Sequence, residues 1–417
     1  MKSVPMVPAP RYGAPMMARP FRAVVAIPVR NEAQRIGACL DALARQDGLG
    51  GRTLGLVLFL NNCTDATAAV VAARADVPGL AVRVVAQDFA GAHAGWARRE
   101  AMEAAASWLE EGGGADGVIL TTDADSRVPP DWVALNLAAI DAGADAVAGR
   151  IALNPDEAAR LPARLHARGR LEGAYEVLLD ELAARLDPLP HDPWPNHATA
   201  SGATLAVRLD AYRAAGGLPA LPVGEDRAFV AALLARDARL RHAPEITVVT
   251  SGRLDGRAPG GAAETMRRRC EDPASPCDPR LEPPWRALLR LAVRRRLRRW
   301  HAAGRIGRVP AWAPWLGLRA GAAREIAQLG TAGAVIAAVE AASPLLAPRP
   351  LSPPALPGAI RTARAVLRLL GEVERLRDRF AAARSRSPEP TPEALAVGLV
   401  PARAPEATRA AEPAGHV

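Results

Sequence analysis

The chain has 417 residues, a formal net charge of +9, and 49% hydrophobic but only 4% aromatic residues, enough for one large core with additions. Its basic residues are almost all arginine, Lys2 being the only lysine, so the charge reflects coding usage and no nucleic-acid partner is expected from it. The four cysteines, Cys39, Cys63, Cys270 and Cys277, lack zinc-site spacing and suit a reducing cytoplasm; with no apolar h-region near the start and no convincing span in Gly330–Ala347, the expected location is cytoplasmic.

In chain order, residues 1–20 read as a flexible leader. Arg22 to Pro28 is a short apolar run of the kind a buried parallel strand shows, and Val29-Arg30-Asn31-Glu32 leads into a helix to about Arg45. A second strand, Leu54 to Leu60, ends in Asn61, Asn62, Cys63, Thr64 and Asp65, where Thr64 or Asp65 caps a helix through Ala75. Leu80 to Val85 makes a third strand. A loop with Gly91 and Gly95 precedes a helix from about Trp96 to Glu110. The run from Gly117 is the fourth strand and opens into Asp123 and Asp125; a helix from Asp131 to Ala142 and a fifth strand from Ala146 to Ile151 follow. Strand and helix alternate four times, so the expected class is α/β, a Rossmann-like, mostly parallel sheet flanked by helices.

Ligands bind outside the carboxyl ends of parallel strands. Four consecutive strand ends here carry polar clusters: Arg30-Asn31-Glu32, Asn62 with Asp65, His93 with Arg98 and Arg99, and Asp123 with Asp125. Side chains two apart on an extended backbone point the same way. The two aspartates can therefore share one Mg2+ or Mn2+ that keeps positions for water and a phosphate. An Asx-type turn capping the helix near Pro129-Pro130-Asp131 accounts for the same pair. Each of the other clusters also has a capping explanation, but all four on one edge make a pocket for something polar, phosphorylated and metal-bound. No G-x-G-x-x-G follows the first strand, and no Walker A loop is present.

Ala26 to Glu32, Asn61 to Thr67, Asp123-Ala124-Asp125 and Gly224-Glu225-Asp226 stand in an order and at separations that resemble the motifs of family 2 glycosyltransferases of the GT-A fold. The resemblance covers about Arg22 to Arg257. It implies a metal-dependent transferase that takes a sugar from a nucleoside-diphosphate donor, a UDP-sugar first, with residues 21–150 as the nucleotide-sugar half and 151–270 as the acceptor half. By the same resemblance Pro28 and Glu32 line the nucleoside pocket with Arg30 and Asn62 beside them, Asp65 meets the base and Arg98 approaches the nucleotide. Asp123 lies near the ribose, and Asp125 binds the metal. Arg99 stands where many relatives have Asn.

Sugar transfer leaves a nucleoside diphosphate whose charge needs a cation, and the acceptor hydroxyl must lose a proton. Glu225 and Asp226 precede an apolar helix, Ala228 to Ala235, where plain capping of a helix N-terminus explains them as residues. The resemblance makes Asp226 the general base, whose in-line displacement inverts the anomeric centre although a few GT-A relatives retain it, and Glu225 an acceptor-positioning partner. Ser201 and Gly202 lie in a small-residue strand, His197 to Arg208, between donor and acceptor; close approach of substrate or a tight strand crossing accounts for Gly202 alike. An Arg-rich helical region, Glu157 to Leu186, shapes the acceptor side. Trp194, in the loop His191 to His197, offers a stacking face. Arg257, in the loop Ser251 to Gly261, can pair with phosphate as part of a lid. His242 is either a third metal ligand or a packed histidine. The Q-x-x-R-W box of processive enzymes is absent, Arg267-Arg268-Arg269-Cys270 standing in its place, so a non-processive enzyme is expected.

Residues 283–384 read as a basic helical extension. Trp285 to Arg308 holds nine arginines and no acid, with a stripe of Trp285, Leu289, Val293, Leu297 and Trp300. Such a helix either lies on an anionic membrane face, placing the protein peripherally at the inner membrane, or packs on the catalytic domain. Ala311 to Ala347 and Ile360 to Arg384 read as further helix, and residues 385–417 as a disordered tail. The acceptor is a small molecule, a glycan or a lipid. The rival readings are a transferase acting on a polyprenyl phosphate and a non-enzymatic basic protein that binds nucleic acid or membrane.

Overall fold

The computed structural model describes residues 21–74, 76–114, 116–256 and 260–386, the last without the side chains of 380–386. The leader 1–20, Arg257 and most of the expected tail lie outside the described residues. Described residues up to Ala363 form one compact unit and those from Arg364 a second.

The first unit begins β1 (Ala23–Val29), α1 (Ile36–Ala44), β2 (Leu54–Asn61), α2 (Thr67–Ala72), β3 (Leu80–Gln87), α3 (Ala94–Glu111), β4 (Val118–Thr121), α4 (Trp132–Asp141) and β5 (Ala146–Leu153). It continues through α5 (Pro155–Ala158), α6 (Ala163–Leu186), β6 (Leu205–Arg208), α7 (Leu209–Ala214), α8 (Glu225–Leu234), β7 (Leu240–Thr250) and α9 (Ala262–Glu271). Helices α10 (Pro284–Ala302), α11 (Ala320–Ile326), α12 (Ala332–Ala342) and α13 (Leu356–Arg386) follow. One sheet runs in the order β3-β2-β1-β4-β6-β5-β7. β6 alone among these strands is antiparallel to its neighbours, pairing with β4 and β5. The strand expected from His197 is thus only its last four residues.

Alternation along the strands builds two cores. Val25, Ile27 and Val29 of β1 face one side with Leu40 and Leu43 of α1 and Trp132 of α4, whereas Val24 and Ala26 face the other with Ala101, Met102 and Ala105 of α3 and Phe229 of α8. A sheet covered on both faces needs unbroken apolar strands, which is why β1 and β2 read as they do. The expected helix from Glu157 to Leu186 is broken, Pro162 sitting at the N-cap of α6 after the single turn of α5.

Of the two readings of residues 285–308, the packing of α10 agrees with a helix laid on the rest of the protein. Its Leu289, Val293, Leu297 and Trp300 enter a third core with Val309, Trp312, Leu316 and Val335. Its arginines meet acids from other elements: Arg290 pairs with Glu282 at 2.9 Å, Arg294 with Glu340 at 2.6 Å and Arg298 with Asp187 at 2.8 Å. Trp285, 60% exposed, is not part of the buried stripe. Residues just ahead of α10 and α12 also bond to earlier elements, since the Tyr175 hydroxyl of α6 donates to the Glu282 carbonyl at 2.6 Å and Thr331 donates to the Ala235 carbonyl at 2.6 Å. Among the described residues no helix is long and apolar enough to cross a membrane.

Candidate active site at the sheet edge

The ends of β1 and β2 are turned by two asparagines in the left-handed region, Asn31 at φ 53° and Asn62 at φ 49°, a conformation that Asn tolerates better than most residues. Each then uses its side chain as a clasp. Asn31 Oδ1 accepts from the Thr64 N–H at 2.7 Å. Asn62 exchanges two hydrogen bonds with the Phe89 backbone, at 2.9 and 3.0 Å, tying the end of β2 to the loop after β3. The Glu32 N–H donates to Thr67 Oγ1 at 2.8 Å, and that hydroxyl donates to Asp65 at 2.5 Å. Thr67 is the chief reason the Asp65 carboxyl is held below the usual carboxylate range. Asp65 also accepts from the N–H groups of Thr67 and Ala33, so it is a brace between the β1 loop and α2 as well as a surface carboxylate. Pro28 lies one residue from the end of β1, paired in register with Phe59, and Arg30 is exposed just beyond.

Arg98 of α3 is the hub beneath the edge. It is buried, and its donors go to Thr121 Oγ1 at 2.9 Å, the Gly202 carbonyl at 2.8 Å, Asp123 at 2.5 Å and Glu225 at 3.2 Å. Burial works against the charge of the guanidinium, and the carboxylates of Asp123 and Glu225 more than offset it, so its pKa is raised. Arg98, expected to approach the nucleotide, has these four protein groups as its hydrogen-bond partners among the described residues. The same contact accounts for Gly202: a Cβ there would lie 2.5 Å from the Arg98 guanidinium carbon, so the missing side chain makes room for the arginine.

Asp125, two residues beyond Asp123, faces a second arginine that the sequence did not single out. Arg253, in the loop after β7, lies 3.1 Å from Asp125 and pairs with both oxygens of Glu32 at 2.5 and 2.9 Å. Burial and the neighbouring Asp123 push the Asp125 carboxyl up to about 6, with Arg253 acting in the opposite direction. Asp125 accepts no hydrogen bond from a described residue. A carboxylate so placed is short of positive charge, and its hard oxygen suits Mg2+ or Mn2+. Among the described residues no three His, Cys, Asp or Glu side chains are grouped to hold a metal. A cation here would draw on one or two carboxylates, with water and phosphate filling the rest, as Mg2+ commonly does.

Across Gly202 from Arg98, Asp226 lies in the first turn of α8, after Gly224 in the left-handed region at φ 75°. One of its oxygens accepts from the Gly202 N–H at 3.1 Å and the other from the Arg227 N–H at 2.7 Å. Glu225 is buried on Arg98, so it orients the hub. Ser201 Oγ accepts from the Ala203 N–H at 3.4 Å, adjacent to Gly202. The edge thus brings together Glu32, Asp123, Asp125, Arg253, Gly202 and Asp226. Trp194 is 43% exposed on a loop fastened to β7, where Arg241 donates to the Pro193 and Pro195 carbonyls. His242 Nδ1 lies 2.8 Å from Asp192, the contact of a packed histidine.

A predominantly parallel sheet with carboxylates, arginines and tight backbone turns gathered at its C-terminal edge is where ligands of open α/β sheets bind, and the side chains there suit a charged one. Residues 24–191 match the family model for Glycosyl transferase family 2. That match spans about two-fifths of the chain, and the mostly parallel sheet flanked by helices is of the α/β class. Three solved structures that it is similar to are as follows: S. aureus TarS 1-349 in complex with UDP-GlcNAc, at 16% identity, 77% of this chain, 91% of that chain and TM-score 0.41; the mannosyltransferase PcManGT from Pyrobaculum calidifontis in complex with GDP-Man and Mn2+, at 19%, 80%, 90% and 0.38; and glucosyl-3-phosphoglycerate synthase from Mycobacterium tuberculosis in complex with Mn2+, UDP-Glc and phosphoglyceric acid, at 18%, 53%, 69% and 0.31. No curated protein matches the chain.

Proposed function

We propose that the protein transfers a sugar from a nucleoside-diphosphate sugar, a UDP-sugar first, to a hydroxyl acceptor, with Asp125 and Asp123 holding Mg2+ or Mn2+ and Asp226 acting as general base. The observation that carries this reading is the convergence of Glu32, Asp123 and Asp125 at one sheet edge inside the family match, with Asp226 joined to them through Gly202 and Arg98. The cation, when bound, neutralises the charge that gathers on the departing diphosphate.

The chain's own residues do the rest. Pro28, Arg30, Glu32, Asn62 and Asp65 flank the nucleoside end, where the clasps of Asn31 and Asn62 fix the loops before ligand arrives. Asp226 has its carboxylate oriented by two backbone N–H groups and is only partly buried, so it keeps access to an incoming hydroxyl. Displacement on the face opposite the diphosphate inverts the anomeric carbon. Ser201 and Trp194 flank the acceptor side. With α10 packed inward, a soluble small molecule or glycan is favoured as acceptor over a membrane lipid. Incubation with UDP-, GDP- and dTDP-sugars and Mn2+ is expected to release one nucleoside diphosphate preferentially, even by slow hydrolysis, and Asp125→Asn is expected to lower that release at least about a hundredfold. Release that Asp125→Asn leaves unchanged would overturn the proposal.

A further inference from the structure

Arg253 is held at both ends. Its backbone belongs to a loop anchored on Glu157, which accepts from the Ser251 hydroxyl at 2.8 Å and from the Gly252 N–H at 2.6 Å and is itself paired with Arg35 at 3.0 Å. Its guanidinium then spans Glu32 and Asp125, residues from the ends of β1 and β4. Asp123 is paired with Arg98 through its Oδ1, while Asp125 has only Arg253 within ion-pair distance among the described residues. A divalent cation on Asp125 would sit about 2.0–2.6 Å from a carboxylate oxygen, while Arg253 Nη2 now lies 3.1 Å from Oδ2 of the same group. Two cations so close repel strongly, so they exclude one another unless further negative charge arrives.

We infer that Arg253 is the internal counter-cation of the donor site: it takes the divalent cation's place on Asp125 when no donor is bound, and moves onto the diphosphate when cation and donor enter together. This rests on the donor-site reading above. A guanidinium fork matches phosphate oxygens in a bidentate way, and the anchored loop leaves the side chain to make the transfer while Glu32 keeps hold of it. The consequence is that the cation binds poorly alone and well with nucleotide, which prevents a metal from being stranded on an empty site. Arg253 thus takes the phosphate-pairing part expected of the lid loop, with the metal-binding carboxylate itself as its resting partner.

The test is calorimetric titration of Mn2+ alone, and of UDP, GDP and dTDP in the presence of Mn2+, on the full chain and on Arg253→Met and Arg253→Lys. The expected result has opposite signs: Arg253→Met binds Mn2+ alone roughly tenfold more tightly and the preferred nucleotide roughly tenfold more weakly, whereas Arg253→Lys, which keeps the charge, leaves Mn2+ binding weak. If Arg253 were only a strut, Arg253→Met would weaken both or leave Mn2+ binding unchanged, and either result overturns the inference while nucleotide binding by the unaltered protein keeps the donor site intact. A protein that binds none of the three nucleotides with Mn2+ overturns both. Circular dichroism of each variant, with Arg253→Lys as the charge-retaining control, separates loss of fold from loss of charge.

Discussion

Arg98→Met is expected to lower the free energy of unfolding by about 3 kcal/mol and to weaken nucleotide binding together with it. Removing one partner of a buried ion pair strands the other's charge, at a cost of about 3–5 kcal/mol. Here Glu225 stays largely enclosed, at 11% side-chain exposure, but Asp123 is 34% exposed and rehydrates, which places the effect at the low end. The Gly202 carbonyl and Thr121 hydroxyl lose their donor as well. Urea unfolding followed by circular dichroism measures the loss, and a change below about 1 kcal/mol would show that the hub is dispensable. Arg98→Lys should recover only part of it, because an ammonium cannot reproduce the planar fork that reaches four acceptors.

Asp226→Asn is expected to reduce turnover about 10²–10⁴-fold, the range a positioned general base contributes, with the donor KM changed no more than a few fold. The asparagine oxygen can still accept from the Gly202 N–H, so the local fold survives and the effect falls on the proton transfer. Nucleoside diphosphate release, with or without acceptor, reads it directly. Turnover within a few fold of the unaltered protein would assign the base elsewhere and leave Asp226 as a helix-terminal brace.

The elements that the chain makes legible are those with a local cause. β1, β2 and β4 announce themselves as apolar runs that stop at Asn or Asp, and Asn31, Asn62 and Asp65 are recognisable because turn chemistry and strand ends coincide there. Arg98 was legible as a residue and not as a direction. Its neighbours at one-turn spacing, Ala101, Met102 and Ala105, are all buried, and that stripe was the available sign that the guanidinium points into the protein. Gly202 signalled a close approach but could not say that Arg98 makes it. Arg253 left no local signal at all, since its partner Glu32 is 221 positions away in sequence. The stripe on α10 was read correctly as apolar, yet a stripe does not name what covers it. The covering core and the acids Glu282, Glu340 and Asp187 lie on other elements.

The central claim is that the carboxylates at this sheet edge form a cation-dependent nucleotide-sugar site. The most direct measurement is calorimetric titration of UDP, GDP and dTDP in Mn2+, in EDTA, and with Asp125→Ala. The account predicts base-selective binding that needs Mn2+ and is lost in Asp125→Ala. Absence of binding by every nucleotide in Mn2+, or binding that neither EDTA nor Asp125→Ala diminishes, would contradict it.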